Sequence, residues 1–285
     1  MSKILRGTDA ASALTEKLTA RAAALKAAGI TPCLAIVRVG DKDDDIAYER
    51  AAVKRCGKIG IAVRNVLLHD NVPQEVLIYE IDKLNNDNNV HGVLLLRPLP
   101  KHIDEAMVCE ELAPSKDVDG ITMGSLAAVY AGRGEGYAPC TAASCIEILK
   151  HYGIPMSGKH AVVIGRSLVI GKPVSQLLLA ENATVTTCHS RTEHLQDICR
   201  SADIIIAAAG KAGMVDSDYV KPGQTVLDVG IHVDADGNMC GDAAQAEIEP
   251  IVDALSPVPG GVGAVTTAIL ASHVIEAAEK ATRSI

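Results

Sequence analysis

Five short apolar segments, CLAIVRV (33–39), GVLLL (92–96), HAVVIG (160–165), ADIIIAAA (202–209) and TVLDVG (225–230), are separated by longer amphipathic stretches. A strand that stays apolar on both faces must be covered by helices on both sides, which is the condition of a buried parallel sheet. Alternation of such strands with helical patterns is the mark of βαβ units and places the chain in the α/β class. At 285 residues it accommodates two such domains. Trp and Phe are absent, so the cores must be assembled from Ile, Leu, Val, Ala and Met.

The spacing predicts helices over Thr8–Ala28, Tyr48–Lys58, Gln74–Asn85, Ala143–Tyr152 with Thr141 as its cap, Gly171–Ala180 and Val265–Arg283. Ala62–Leu68 and Thr184–Cys188 complete the expected strands. The net charge of -8 argues against nucleic acid, which demands a basic surface. No apolar run reaches the length of a membrane span, and MSKILRGTDAASAL lacks the apolar stretch of a secretory signal. Eight cysteines without a Cys-x-x-Cys pair offer neither a zinc site nor a disulfide framework, so reduced thiols in a cytoplasmic protein are expected.

The most informative local signal is VVIGRSLVIGKP, residues 162–173. An apolar strand runs into Gly165 and a helix follows from about Gly171, which aims backbone N–H groups and a positive helix end at a pyrophosphate. The spacing departs from Gly-x-Gly-x-x-Gly, and two glycines that merely shape a tight βα turn are the competing reading. Arg166 offers a guanidinium fork and Ser167 a hydroxyl. At the end of the next strand, Ser190 and Arg191 stand where an NAD enzyme carries an acidic residue for the ribose. That exchange favours a 2′-phosphate, hence NADP; a solvated surface charge is the alternative for Arg191.

With VGDKDDDIAYERAAVKRCGKIGI, GVLLLRPLP, PSKDVDGIT, YAPCT, GKHAVVIGRSLVIGKPV, ATVTTCHSRT and PVPGGVGAVTTAIL, the sequence resembles the methylenetetrahydrofolate dehydrogenase/cyclohydrolase family over nearly its whole length. The resemblance implies a Rossmann-type NADP domain, residues 141–265, beside a smaller α/β folate domain formed by 1–140 and 266–285. It implies a cleft between them and a homodimer. It further implies that Tyr48 lies along the folate ring, that Asp119 accepts hydrogen bonds from the pterin, and that Gly260 and Gly261 allow close backbone approach to substrate. Gly165, Arg166, Ser167, Ser190, Arg191 and Ile231 would contact NADP; no metal is expected.

Two positions depart from the family. Its Tyr-x-x-x-Lys reads Tyr48-Glu-Arg-Ala-Ala52 here, and the glutamine of its Val-Gln-Leu-Pro is Leu96, followed by Arg97. On a helix Ala52 lies about 40° from Tyr48 and Lys54 about 120° away on the other side. Removing hydride from the methylene bridge is driven by a folate nitrogen lone pair and needs positioning in a dry cleft. Hydrolysing the resulting methenyl cation needs placed proton donors and acceptors. The sequence therefore points to an NADP-dependent dehydrogenase with cyclohydrolase activity in doubt. The alternatives are a fully bifunctional enzyme using Lys54 or Arg97, and a non-catalytic folate and NADP binder. A hydroxy-acid dehydrogenase would want a His-based acid–base pair, which the nine histidines do not form.

Overall fold

A computed structural model describes residues 2–234 and 236–283. Eleven strands and ten α-helices follow one another along them: β1 (Lys3–Ile4), α1 (Gly7–Ala27), β2 (Cys33–Val39), α2 (Asp43–Ile59), β3 (Ala62–Leu68), α3 (Gln74–Asn85), β4 (Gly92–Leu95), α4 (Glu105–Glu110), α5 (Met123–Ala131), α6 (Cys140–His151), β5 (His160–Ile164), α7 (Gly171–Ala180), β6 (Thr184–Cys188), α8 (Leu195–Ser201), β7 (Ile204–Ala207), β8 (Thr225–Asp228), β9 (His232–Val233), β10 (Met239–Cys240), α9 (Gln245–Ile248), β11 (Ala254–Leu255) and α10 (Thr266–Arg283). The chain divides into two compact units, one of residues 13–140 and 267–285, the other of 1–12 and 141–266.

The first unit is built on a parallel sheet of order β3-β2-β4. Central β2 is buried from Leu34 onward and reads as an apolar run broken by Arg38, which pairs with Glu49 at 2.7 Å, whereas edge strand β3 keeps its polar residues in solvent. Ala35, Val37, Val93 and Leu95 pack with Leu77, Ile81, Val108 and Leu112. The helix after β2 starts at Asp43, five residues before its expected start at Tyr48. Asp43, Asp44 and Asp45 occupy its first turn, where carboxylates meet the positive end of the helix dipole. Gly60, at φ +96, stops it in the left-handed region. Its buried stripe is Asp45, Ala52, Cys56 and Ile59.

The second unit carries a six-stranded parallel sheet of order β1-β11-β8-β7-β5-β6. Its strand direction of travel reverses at β5, with β6 on one side and β7 on the other, which creates the crevice where α/β sheets take ligands. Val162, Ile164, Ile205, Ala207 and Val226 form its core with Cys188, Cys199 and Leu255. The opening residues belong here: Lys3 pairs with Ala254 and Ile4 with Leu255, so β1 extends this sheet, and residues 1–12 group with 141–266. Among the described residues the largest fully buried side chains are all Leu and Ile. Among the described residues no helix is long and apolar enough to cross a membrane.

Candidate active site

In the first unit β2 and β4 run parallel, so both deliver their C-terminal ends to the same side of the sheet. There α2 begins and the chain leaves β4 through Leu96, whose N–H donates to the Val37 carbonyl at 3.0 Å. A pocket of ≈ 260 Å³ opens at this point, lined by Asp44, Asp45, Tyr48, Leu94, Leu95, Leu96, Arg97 and Asp119.

The KDVDG turn places Asp119 in it. Asp117 is fully buried and accepts from the N–H groups of Ile121 and Thr122 at 3.0 and 2.8 Å, which locks the turn. Gly120 adopts φ +71, and a Cβ there would lie 2.5 Å from Pro139 N, so no other residue fits. Asp119 is partly exposed to the cavity, and desolvation by its surroundings pushes its pKa up to about 6; Asp117 adds to this, while a hydrogen bond from the Cys140 thiol and the charge of Arg97 act the other way. Burial also drives the Cys140 thiol well above its ordinary value, so it serves as a neutral donor.

The sequence singles out four positions in or near this pocket. Ala52 is fully buried on the stripe of α2 that also carries Tyr48, and Leu96 lines the wall. Lys54 is exposed and does not line the pocket. Arg97 does line it, half-buried, and pairs with Glu105 at 3.3 Å; the other oxygen of Glu105 accepts from Leu99 N–H at 2.8 Å. The structure thus brings Tyr48, Asp119 and Arg97 to one cavity and leaves Lys54 outside it. It also brings Asp45, which the sequence reading passed over because DKDDD resembles a solvated acidic run. The signal was its spacing: three residues before Tyr48 and seven before Ala52 is one helix face.

In the second unit Gly165 closes β5 at φ +138, and a Cβ on it would meet the Ala208 carbonyl oxygen at 2.1 Å. A Cβ on Gly171 would meet the Gly165 carbonyl oxygen at 2.2 Å, so both glycines are needed for the chain to fold back into α7. Ser167 Oγ accepts from Ile170 N–H at 3.1 Å, which braces the turn into this helix, and keeps its own O–H to donate. Arg166 is exposed beside it. Strands β5 and β6 pair in register, and Ser190 and Arg191 stand exposed just beyond β6, with His189, Ser190 and Arg191 providing no carboxylate after the strand. Ile231, 62% exposed, follows β8. Nearby, Asp242 accepts from Gly210 and Lys211 N–H at 3.0 and 2.9 Å and contacts His232 Nε2 at 2.7 Å, which fixes the loop after β7. Hydroxyls, guanidinium groups and a helix N-terminus on this rim fit the phosphates of a dinucleotide.

Gly260 and Gly261 lie in this second unit. Gly7 N–H donates to the Gly260 carbonyl at 2.9 Å, and a Cβ on Gly7 would lie 1.9 Å from the Gly261 carbonyl oxygen. Their observed work is to receive the start of α1. Among the described residues no three His, Cys, Asp or Glu side chains gather as a metal site.

Two family models match the chain, one in each half. Residues 5–119 match the model of the tetrahydrofolate dehydrogenase/cyclohydrolase catalytic domain, and residues 139–282 match that of the tetrahydrofolate dehydrogenase/cyclohydrolase NAD(P)-binding domain. The bifunctional protein FolD of Carboxydothermus hydrogenoformans is 50% identical over 281 residues, covering 98% of each chain. The crystal structure of the bifunctional FolD methylenetetrahydrofolate dehydrogenase/cyclohydrolase of Campylobacter jejuni superposes with a TM-score of 0.94 at 37% identity, covering 98% of this chain and 99% of the other. The Trypanosoma brucei dehydrogenase-cyclohydrolase, solved with NADP and an inhibitor, gives a TM-score of 0.90 at 32% identity over 99% of both chains. With two α/β domains, one catalytic and one Rossmann-like, the chain belongs to the bifunctional FolD methylenetetrahydrofolate dehydrogenase/cyclohydrolase family.

Proposed function

We propose that the chain oxidises 5,10-methylenetetrahydrofolate to 5,10-methenyltetrahydrofolate with NADP, and hydrolyses the methenyl product through Arg97 in place of a lysine, hydrolysis being the slower half. The observation that carries this reading is one cavity holding Tyr48, Asp119 and Arg97, with Ala52 and Leu96 apolar and Lys54 facing away. Asp119 accepts N–H donors from the pterin edge, and Tyr48 covers the ring. Gly165, Arg166, Ser167, Ser190, Arg191 and Ile231 hold the dinucleotide, with Arg191 and Ser190 on the 2′-phosphate. When bound, NADP supplies the acceptor for the hydride. Oxidation then asks the protein only for placement and exclusion of water, which the retained groups provide.

Hydrolysis asks for more. Water must add to the methenyl carbon, lose a proton, and return one to N5 as the ring opens. A permanently charged guanidinium can orient the water and stabilise developing negative charge but cannot act as the base, so this step is expected to lag. The bifunctional relatives support retention of both activities; the apolar pair at 52 and 96 supports their imbalance. A homodimer is part of the same reading.

Purified protein tests it through NADPH formation from methylenetetrahydrofolate and loss of methenyltetrahydrofolate absorbance. Arg97→Ala should cut hydrolysis at least tenfold, about 1.4 kcal/mol, and spare oxidation. Lys54→Ala should alter neither. Hydrolysis abolished by Lys54→Ala and indifferent to Arg97→Ala would overturn the assignment.

A further inference from the structure

The pocket holds a charge that the proposed reaction has not yet employed. Asp45 is 8% exposed, lines the same cavity as Tyr48 and Asp119, and accepts no hydrogen bond among the described residues. Desolvation raises its pKa above the ordinary carboxylate value, while the charges of Lys42 and Arg38 oppose this and that of Asp44 adds to it. A carboxylate that opens on this cavity with no protein donor gains from any cation the cavity receives. Most of the cavity's other charge has the same sign: Asp44 and Asp119 also line it, and Arg97, the one cation among its described lining residues, is already paired with Glu105.

The helical geometry explains why an acid can stand there. Asp45, Tyr48 and Ala52 share one face of α2. Side chains of a helix lean toward its N-terminus, so a long basic side chain at 52 would bring its charge back toward Tyr48 and Asp45. Alanine leaves that space without a cation, and the first turn supplies a carboxylate from the other end.

We propose that Asp45 is the counter-charge for the cationic one-carbon unit, stabilising the positive charge that develops as the methylene bridge is oxidised. The inference rests on the reading of this pocket as the folate site. In the step concerned, the C–H bond of the bridge breaks and the hydrogen leaves with both electrons for the oxidised nicotinamide. The positive charge that the nicotinamide ring loses reappears across N5, the bridging carbon and N10. Methylenetetrahydrofolate is neutral at that centre and the methenyl product is not, so a carboxylate beside it favours the transition state and product over the substrate. The same attraction lowers the electrophilicity of the bound cation toward water and contributes to slow hydrolysis.

The test is Asp45→Asn, with Asp45→Glu as the charge-conserving control. Dissociation constants are measured for methenyltetrahydrofolate and for tetrahydrofolate, which lacks the cation and also reports an intact site. Asp45→Asn should weaken methenyltetrahydrofolate roughly tenfold to hundredfold, as expected for a partly screened unit charge. Tetrahydrofolate binding should change by less than about twofold, kcat for oxidation should fall by about tenfold or more with KM for methylenetetrahydrofolate unchanged, and Asp45→Glu should restore most of the discrimination. Equal weakening of both ligands, or no change in either, would overturn the charge role. Wild-type protein that binds neither folate would instead overturn the assignment of the pocket.

Discussion

Restoring the polar pair that the family carries should restore fast hydrolysis. In Ala52→Lys/Leu96→Gln the new ammonium sits on a stem of five bonds from Cα, roughly 6 Å when extended. Residues 48 and 52 are separated by about 6 Å of helix rise, so a lysine leaning toward the N-terminus brings its charge level with the Tyr48 side chain. Leu96 already lines that wall, and an amide there can orient the ammonium. A positioned proton-transfer group contributes about 10²–10⁴ in rate, so methenyl hydrolysis should rise at least a hundredfold, about 2.7 kcal/mol of barrier. Ala52 is fully buried, and forcing a larger side chain into that position should cost about 1–3 kcal/mol of stability, softened by the carboxylates of the first turn. The ammonium also opposes the cationic product, so oxidation should slow as hydrolysis quickens. The assay is paired: loss of methenyl absorbance, NADPH formation, and a thermal melt on each variant. A double variant that folds, binds tetrahydrofolate and oxidises methylenetetrahydrofolate, yet hydrolyses no faster than the parent, would refute the reasoning that positions 52 and 96 limit the second activity.

Asp119 should show opposite pH trends in binding and stability. Its pKa of about 6 lies above that of the unfolded chain, so its stabilising contribution is complete below the unfolded value and is lost as pH rises through 6. Folate binding needs the carboxylate and should strengthen over the same rise; Asp119→Asn should melt higher at neutral pH, by about 1–3 kcal/mol, with the advantage vanishing toward pH ~4 and folate binding lost throughout. Gly165→Ala, in a left-handed conformation with a carbonyl oxygen 2.1 Å from the new Cβ, should cost about 3 kcal/mol or more and abolish NADP binding, checked by chemical denaturation and cofactor titration. Arg191→Ala should weaken NADP at least tenfold and leave NAD within about twofold, narrowing the ratio of their kcat/KM values.

Central strand β2 was legible because burial on both faces leaves a mostly apolar run, and the edge strands β3 and β6 and the helices α3 and α7 also fall on their expected residues. What escaped depended on distant partners or on local caps. The two-residue strands β1 and β11 carry no periodicity, and only their pairing, Lys3 with Ala254, makes them strands. Helix α5, MGSLAAVYA, has no amphipathic rhythm; Thr122 Oγ accepting from Ser125 N–H and Gly132 in the left-handed region define its ends. In the candidate site, Tyr48, Asp119 and Arg97 were readable as residues, but the choice of Arg97 over Lys54 needed the direction in which the chain leaves β4. Asp45 stayed hidden because a carboxylate in an acidic triplet looks solvated until a helix turns one of the three inward.

The placement of β1 bears on how the molecule is made. A growing chain releases Lys3 and Ile4 first, but the strand they pair with, Ala254–Leu255, emerges some 250 residues later. The other unit likewise waits for residues 267–285, which follow its residues 13–140 only after all of 141–266. Each unit therefore waits on the far end of the chain, and closing such long loops before their contacts form slows folding. Cutting between residues 140 and 141 would free neither unit intact: one fragment would lack the helix contributed by the C-terminus and the other its outermost strand. Autonomous pieces of this protein would have to be made by circular permutation rather than by truncation.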